Sequence, residues 1–326
     1  MKKVLVTGAT GHIGNVLVRT LVNEGFSVRI LTLNGFLPTY LQDLPLEVLS
    51  GDIRDESAVS DAVKGMDGVF HLAGIISISS YKSPDLYSVN VNGTENMIKA
   101  CLAHNIKRLV YVSSVHALPD LPHHQLITPN IEITTQDLLG SYAKSKAMAT
   151  LALKKAITQH NLNAVICFPA GVMGPYDYLG SDAGRSIKEY LANNIPFYIE
   201  GEYNFVDVRD VANGLIAAYF KGQKGEGYIL AGEVITVKQI IEAIKSKVPT
   251  TQIPRKMPTF LALLFSYPTE LIFKILNKKT PYTPYSVKVL QSNCNFSIEK
   301  SQQELGFKYR PLKESINDTI EWLQTQ

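Results

Sequence analysis

A short apolar run, Lys3 to Thr7, passes directly into glycines at positions 8, 11 and 14. A helical pattern through Val16, Leu17, Thr20, Leu21 and Val22 follows, ending near Gly25. This order of strand, glycine turn and helix constrains the fold more than any other stretch. A β-branched apolar run of that length reads as a buried strand of a parallel sheet. The turn Gly8-Ala9-Thr10-Gly11-His12-Ile13-Gly14 then has the context a dinucleotide-binding fingerprint needs. Gly8 permits the tight turn and Gly11 lets backbone N–H groups approach a pyrophosphate. Gly14 allows close packing of helix on strand. Thr10, His12 and Ile13 belong to the same expected contact, with His12 covering the pyrophosphate.

Further strands alternate with helices through the first 170 positions. The second, Ser27 to Leu33, ends at Thr32, where an acid would bind the ribose of NAD and a base the phosphate of NADP. No acid occurs between Gly25 and Asp43, so NADP is favoured. The third, Leu46 to Ser50, leads to Gly51-Asp52-Ile53. Asp52 can accept the adenine amino group or cap the helix beginning near Glu56. The fourth, Gly68 to Leu72, closes on Ala73-Gly74, small residues that let a cofactor lie against the backbone. Pro84 to His104 reads as one long helix, with Asn90, Gly93 and Thr94 inside it. Arg108 to Val112 is the fifth strand, running into Ser113-Ser114. Asn163 to Phe168 is the sixth, ending in Pro169-Ala170-Gly171. This alternation predicts an α/β fold with a doubly wound parallel sheet, and ligands beyond the carboxyl ends of its strands. Gly8, Asp52, Ala73, Ser114 and Pro169 all fall at such ends.

Ser141-Tyr142-Ala143-Lys144-Ser145-Lys146 carries the chemistry. Tyr142 and Lys146 are four apart, one turn on the same face of a helix reaching about His160. A tyrosine alone is a poor acid or base near neutrality, and a nearby ammonium favours the phenolate. The pair suits proton transfer in converting C=O to CH–OH or back.

Composition excludes several other functions. Lys and Arg number 32 against 29 Asp and Glu in 326 residues, with no dense basic run, so nucleic acid is not an expected partner. Cys101, Cys167 and Cys294 lack metal spacing and read as reduced, buried thiols of a cytoplasmic protein. His116, His123 and His124 have no ligand partners at metal spacing, so no metal is expected. His116 lies close enough to Ser114 to face a substrate. The apolar start stops at Thr7-Gly8, too short for a signal peptide. Phe260 to Leu276 contains Pro268, Glu270 and Lys274 and reads as a buried or lid helix rather than a membrane span.

The motifs together resemble the extended short-chain dehydrogenase/reductase family. They are the glycine turn, Asp52-Ile53, His71-Leu72-Ala73-Gly74, Asn90-Val91-Asn92-Gly93-Thr94, Ser113-Ser114, Tyr142-x-x-x-Lys146 and Pro169 through Pro175. Phe205 to Ala212 and Leu305-Gly306-Phe307 also fit. The resemblance implies a Rossmann-like sheet of about seven strands over residues 1–170. A smaller, mostly helical substrate domain over 171–326 would follow, with segments around 204–232 returning to the first. It implies that Ser114 bonds the substrate oxygen, Tyr142 transfers the proton, and Lys146 binds the nicotinamide ribose and tunes Tyr142. The cofactor would further touch Gly8, Thr10, Gly11, His12, Ile13, Gly14, Thr32, Asp52, Ile53, Leu72, Ala73, Gly74, Asn90, Ser113, Pro169, Gly171 and Val172. A homodimer through the helices at 84–104 and 141–160 is implied as well.

Two positions depart from the family pattern: Phe168 replaces a common arginine and Met173 a common tyrosine. A third is Tyr203, where nucleotide-sugar enzymes of the family carry a diphosphate-gripping arginine. The surrounding residues are aromatic, including Tyr176, Tyr178, Phe205, Tyr282 and Tyr285. Such walls suit a neutral carbonyl compound. The expected activity is therefore an NAD(P)-dependent oxidoreductase acting on a small or apolar aldehyde, ketone or secondary alcohol. The pattern is most similar to dihydroflavonol-reductase-like and 3β-hydroxysteroid-dehydrogenase-like enzymes. The alternative is a sugar epimerase or dehydratase that recycles NAD.

Overall fold

The computed structural model describes residues 1–77, 84–276 and 283–326, so Tyr282 lies outside the described residues. Its strands are β1 (Lys3–Thr7), β2 (Ser27–Thr32), β3 (Leu46–Ser50), β4 (Gly68–His71), β5 (Arg108–Val112) and β6 (Ala164–Pro169). These are followed by β7 (Gly171–Met173), β8 (Phe197–Ile199), β9 (Glu202–Asp207), β10 (Gly227–Leu230), β11 (Glu233–Thr236) and β12 (Arg255–Met257). Seven of them form one parallel sheet in the order β3-β2-β1-β4-β5-β6-β10. The chain winds outward from β1 to β3, then crosses back to β4 and winds the other way. Connections diverge at that switch and leave a crevice beyond the carboxyl ends of β1 and β4.

Successive strand residues alternate between two buried layers, as a pleated strand covered on both faces must. Leu5, Val69, Leu109, Tyr111 and Ile166 join the layer that includes the helices Glu56–Val63, Gly93–Ala103 and Gly140–His160. Val4, Val6, Phe70, Val110, Val165 and Cys167 join the layer of His12–Asn23 and Val208–Lys221. A third cluster, with Ile187, Ile241, Ile244, Leu312 and Ile316, lies under the small sheet β11-β9-β7 and its helices. Asp207 caps the helix Val208–Lys221, accepting from Arg209 N. Asp210 lies inside the first turn instead and grips Arg310, so only one of these two acids is a cap.

The glycine turn is fixed by contact. Gly8 has φ +72°, and a Cβ there would lie 2.7 Å from Ala73 N on the neighbouring strand end. A Cβ on Gly14 would lie 2.0 Å from Gly8 O. The expected single helix over 84–104 is interrupted: Pro84–Tyr87 and Gly93–Ala103 flank a wider π turn, Ser88–Asn92. Such single turns recur at functional sites, and Asn90 sits in this one. Gly93 proves to be a packing glycine, since a Cβ would lie 2.8 Å from Ile53 Cγ2.

Gly14→Ala must move backbone rather than a flexible side chain. We expect a loss of about 1–3 kcal/mol, the usual cost of overpacking, read as a lower urea midpoint. An unchanged midpoint would mean that helix and strand do not pack this closely.

Candidate active site

Tyr142 and Lys146 lie on the inward face of the 21-residue helix Gly140–His160, 8% and 5% exposed respectively. The helix passes the carboxyl end of β5. Lys146 Nζ donates to Val112 O there, at 2.9 Å, and stands 5.3 Å from the centre of the Tyr111 ring. Ser114, which follows the end of β5 by two residues, stands near the Tyr142 hydroxyl. Ser114 Oγ also accepts from His116 N at 3.2 Å, capping the short turn Val115–Ala117. The three expected catalytic residues thus converge at one strand end.

Their electrostatics differ from the sequence expectation. Burial pushes the Tyr142 phenol up to about 12, with Ser114 pulling the other way. Burial also pulls Lys146 down to about 8. Removing each group from water disfavours its charged form, and here that outweighs the mutual effect expected of the pair. At neutral pH Tyr142 therefore carries its proton.

A buried polar chain links this helix to the sheet. Thr94 Oγ1 donates to Asn90 O (2.7 Å), so its single proton is used, and it must accept from His71 Nε2 (3.1 Å). His71 Nδ1 is then the acceptor for Thr7 Oγ1 (2.7 Å), which in turn accepts from Ala73 N (3.2 Å). One tautomer satisfies every bond. Complete burial pulls His71 down to about 3, so the ring is neutral. The Asn90 side chain accepts from Ile75 N (2.7 Å) and donates to Ile75 O and Ser145 Oγ. Ser145 Oγ donates to Tyr142 O at 2.7 Å. His71, Thr94 and Ser145 were not identified as site residues from the sequence. A histidine closing the otherwise apolar β4 was the available signal.

The remaining expected residues are distributed as follows. Thr32 is buried at the end of β2, and its hydroxyl has no partner among the described residues. Asp52 accepts from Arg54 N and from the Arg54 guanidinium, whose hydrogen bond holds the carboxyl below its usual range. The cap of the helix Glu56–Val63 is Asp55, not Asp52, because Asp55 Oδ1 takes Ser57 N and Ala58 N. Ile53 packs against Gly93. His12 Nε2 bonds Pro175 O at 3.0 Å, tying the glycine turn to the loop after β7. Tyr40 OH donates to Thr10 O, and its ring stacks on Tyr178 at 4.0 Å, a clasp beside the turn not foreseen from the sequence. Leu72 is partly buried beside Ala73, while Gly74 lies against Asn90 Oδ1 and Lys146 Nζ. Ser113 turns its hydroxyl to Thr150 at 2.8 Å, leaving only its backbone for any ligand. Pro169 ends β6, and Gly171 and Val172 begin β7.

On the other side of Tyr142 stands an uncharged aromatic wall. His116 lies 6.1 Å from Tyr142 between ring centres, edge to face, and 6.3 Å from Tyr285. Its Nε2 is 2.7 Å from Tyr203 OH. Burial pulls His116 down to about 4 and pushes Tyr203 and Tyr285 up, so all three are neutral near pH 7. Gly171 makes room for Tyr203, since a Cβ would lie 2.5 Å from that ring.

A parallel sheet with a glycine turn at its switch point, and a Ser-Tyr-Lys set beside it, defines a dinucleotide-dependent enzyme fold. The chain belongs to the NAD-dependent epimerase/dehydratase family, whose model matches residues 4–231. It is 30% identical over 325 residues to a putative dihydroflavonol 4-reductase of Synechocystis, covering 98% of this chain and 94% of that one. It is 30% identical over 331 residues to sterol demethylase protein B of Methylococcus capsulatus, covering 98% of each. The solved structure of gox2253 superposes with a TM-score of 0.86 at 27% identity, covering 100% of this chain and 98% of that chain. The dihydroflavonol-reductase-like relative is an extended short-chain dehydrogenase/reductase, as the motifs implied. The family comprises oxidoreductases, epimerases and dehydratases that use NAD-type cofactors.

The crevice residues fit such a cofactor. The Gly8 and Gly14 contacts leave the turn no room for side chains, and a Cβ on Gly11 would meet only Gly8 O, at 3.4 Å. His12 Nδ1 and Thr32 Oγ1 are buried polar atoms with no partner among the described residues.

Lys146 has a folded-state pKa of about 8 against an ordinary 10.5. Below that range it is charged in both states and its burial penalty is complete. As pH rises from about 8 towards 10.5 the folded state loses the proton first, the unfolded state binds more, and stability rises. Relative to Lys146→Met, wild-type stability should rise by about 2–3 kcal/mol between about pH 7 and pH 10, measured by urea unfolding. Parallel curves would mean that the ammonium is not buried.

Proposed function

We propose that the chain is an NAD(P)-dependent oxidoreductase acting on a small or apolar aldehyde, ketone or secondary alcohol. The observation that carries this reading is the Tyr142 hydroxyl. It is protonated, near Ser114, and set between the Lys146 turn and a neutral wall of His116, Tyr203 and Tyr285. The bound nicotinamide would supply or accept the hydride. Ser114 would hold the substrate oxygen by a hydrogen bond. Tyr142 would give its proton to that oxygen during reduction and recover it during oxidation. Lys146 would bind the nicotinamide ribose and stabilise the phenolate left behind. Asn90 and Gly74 would border the same ring. Gly8 through Gly14 would hold the pyrophosphate, and Pro169, Gly171 and Val172 would close the nicotinamide end.

The wall favours a neutral substrate. A nucleotide sugar brings about two negative charges on its diphosphate, and a Tyr203–His116 hydrogen bond between uncharged groups offers no bidentate cation for them. The segment from β7 onward, outside β10 and the helix Val208–Lys221, would form the substrate side. A homodimer through the helices at 84–104 and 140–160 is part of the same reading, with Met148 and Leu151 exposed on the second.

NADP is the proposed cofactor. No acid stands at the end of β2, and the Asp52 carboxylate is already paired with Arg54, 2.6 Å away. NADPH should therefore bind more tightly than NADH by fluorescence titration, and a reversed order would assign NAD.

Tyr142→Phe should lower kcat by about 10²–10⁴-fold, the usual contribution of a positioned general acid. The dissociation constant for NADPH should change little. The assay is NADPH oxidation at 340 nm against a carbonyl panel. Retained turnover would remove the proton-transfer role. If no carbonyl consumes NADPH while purified protein retains NAD, the epimerase or dehydratase reading takes its place.

A further inference from the structure

The helix Thr259–Ile275 is inside out. Its fully buried positions, at four-residue spacing, are Ala262, Ser266 and Glu270, with Leu263 and Phe273 half-buried on the same side. Phe260, Leu264, Phe265, Leu271, Ile272 and Ile275 point outward, each between 49% and 75% exposed. At 3.6 residues per turn they cover about half the circumference, without an acid among them. A surface helix of a water-facing protein shows the opposite arrangement, apolar inward and charged outward. Of the two expectations for this stretch, a buried helix does not hold, because hydrophobicity alone did not say which face packs. A contiguous apolar face of this size marks a contact with something apolar.

The surrounding charge indicates what covers it. Between Pro254 and Thr283 the sequence carries five bases, Arg255, Lys256, Lys274, Lys278 and Lys279, against one acid, Glu270. That acid is buried. Lys256 is paired with Glu200 at 2.6 Å, and the stretch still carries more base than acid. Apolar side chains with such an excess of base match the acyl and headgroup layers of an anionic bilayer surface. The helix has 17 residues, about 26 Å, short of the roughly 30 Å hydrocarbon core. No described helix is long and apolar enough to cross a membrane. We propose that the helix Thr259–Ile275 lies in the interface of an anionic lipid bilayer and docks the protein there peripherally.

The docked helix also borders the candidate site. It packs on the helix Pro284–Val289, whose Tyr285 ring faces His116. An apolar carbonyl compound dissolved in lipid would thus meet the site from the docked face. That last step rests on the oxidoreductase reading; the docking does not.

The test is flotation of the full chain with two kinds of vesicle. One is phosphatidylcholine mixed with phosphatidylglycerol and the other is phosphatidylcholine alone. Light scattering without vesicles runs in parallel. Wild type should float with the anionic vesicles, less so with neutral ones and in high salt. The triple variant Leu264→Gln/Leu271→Gln/Ile275→Gln alters exposed positions only and should stay in solution with the same circular dichroism. Arg255→Gln/Lys278→Gln/Lys279→Gln should lose the preference for anionic vesicles. Wild type that floats with neither vesicle overturns the proposal. So does a dimer that the triple variant converts to monomer without any vesicle binding, since a second copy would then be the cover. Turnover on soluble carbonyl compounds should be equal in wild type and triple variant. A failed oxidoreductase reading therefore leaves the flotation result standing.

Discussion

The arrangement of the candidate site depends on hydrogen bonds that have only one consistent direction. Thr7, His71, Thr94, Asn90 and Ser145 are buried, and each lies between two others or between a side chain and a backbone group. Buried polar groups are costly when unpaired, so a fully satisfied chain holds its members in one geometry. It runs from the end of β1 through β4 to the π turn Ser88–Asn92, and from there to the backbone of Tyr142. Asn90 also clamps Ile75 by both of its side-chain ends. The strand that carries the glycine turn and the helix that carries the phenol are thereby held in register.

Around that frame, desolvation decides the charge state of each group. Tyr142 and His116 are held neutral and the Lys146 ammonium is destabilised, each with burial as the leading cause. The chain places its exposed charges elsewhere, in pairs such as Arg54 with Asp85 and Lys99 with Glu56. Under the proposed function, a neutral wall beside a protonated phenol would favour a substrate without charge, in contrast to diphosphate-bearing sugars. The same physics operates at the helix Thr259–Ile275, where apolar side chains face outward and the one acid faces in.

Local spacing made much of this legible. Glycines at 8, 11 and 14 after an apolar run specified the turn, because Gly8 needs a left-handed φ and Gly14 has no space for a Cβ. The four-residue spacing of Tyr142 and Lys146 specified a shared helix face. What could not be read depends on approach between distant segments. His116 and Tyr203 are 87 positions apart and meet only once β9 is in place. The net direction of the Tyr142 shift depends on burial, which no spacing reports. Asp52 could have capped the following helix, but its carboxylate is taken by Arg54 and Asp55 caps it instead. For the helix Thr259–Ile275 the signal was present, in the four-residue spacing of Ala262, Ser266 and Glu270, but the abundance of apolar residues around it obscured which side packs.

The central claim is that Lys146 stabilises the phenolate of Tyr142 while that phenol moves the reacting proton. It is tested most directly by the pH dependence of kcat/KM for alcohol oxidation at saturating cofactor, in wild type and Lys146→Met. The account predicts that the rate rises to a plateau as the Tyr142–Lys146 pair releases its first proton, leaving phenolate beside ammonium, and that removing the ammonium moves this inflection to higher pH. An inflection that stays where it was, in a variant that still binds cofactor, would contradict it.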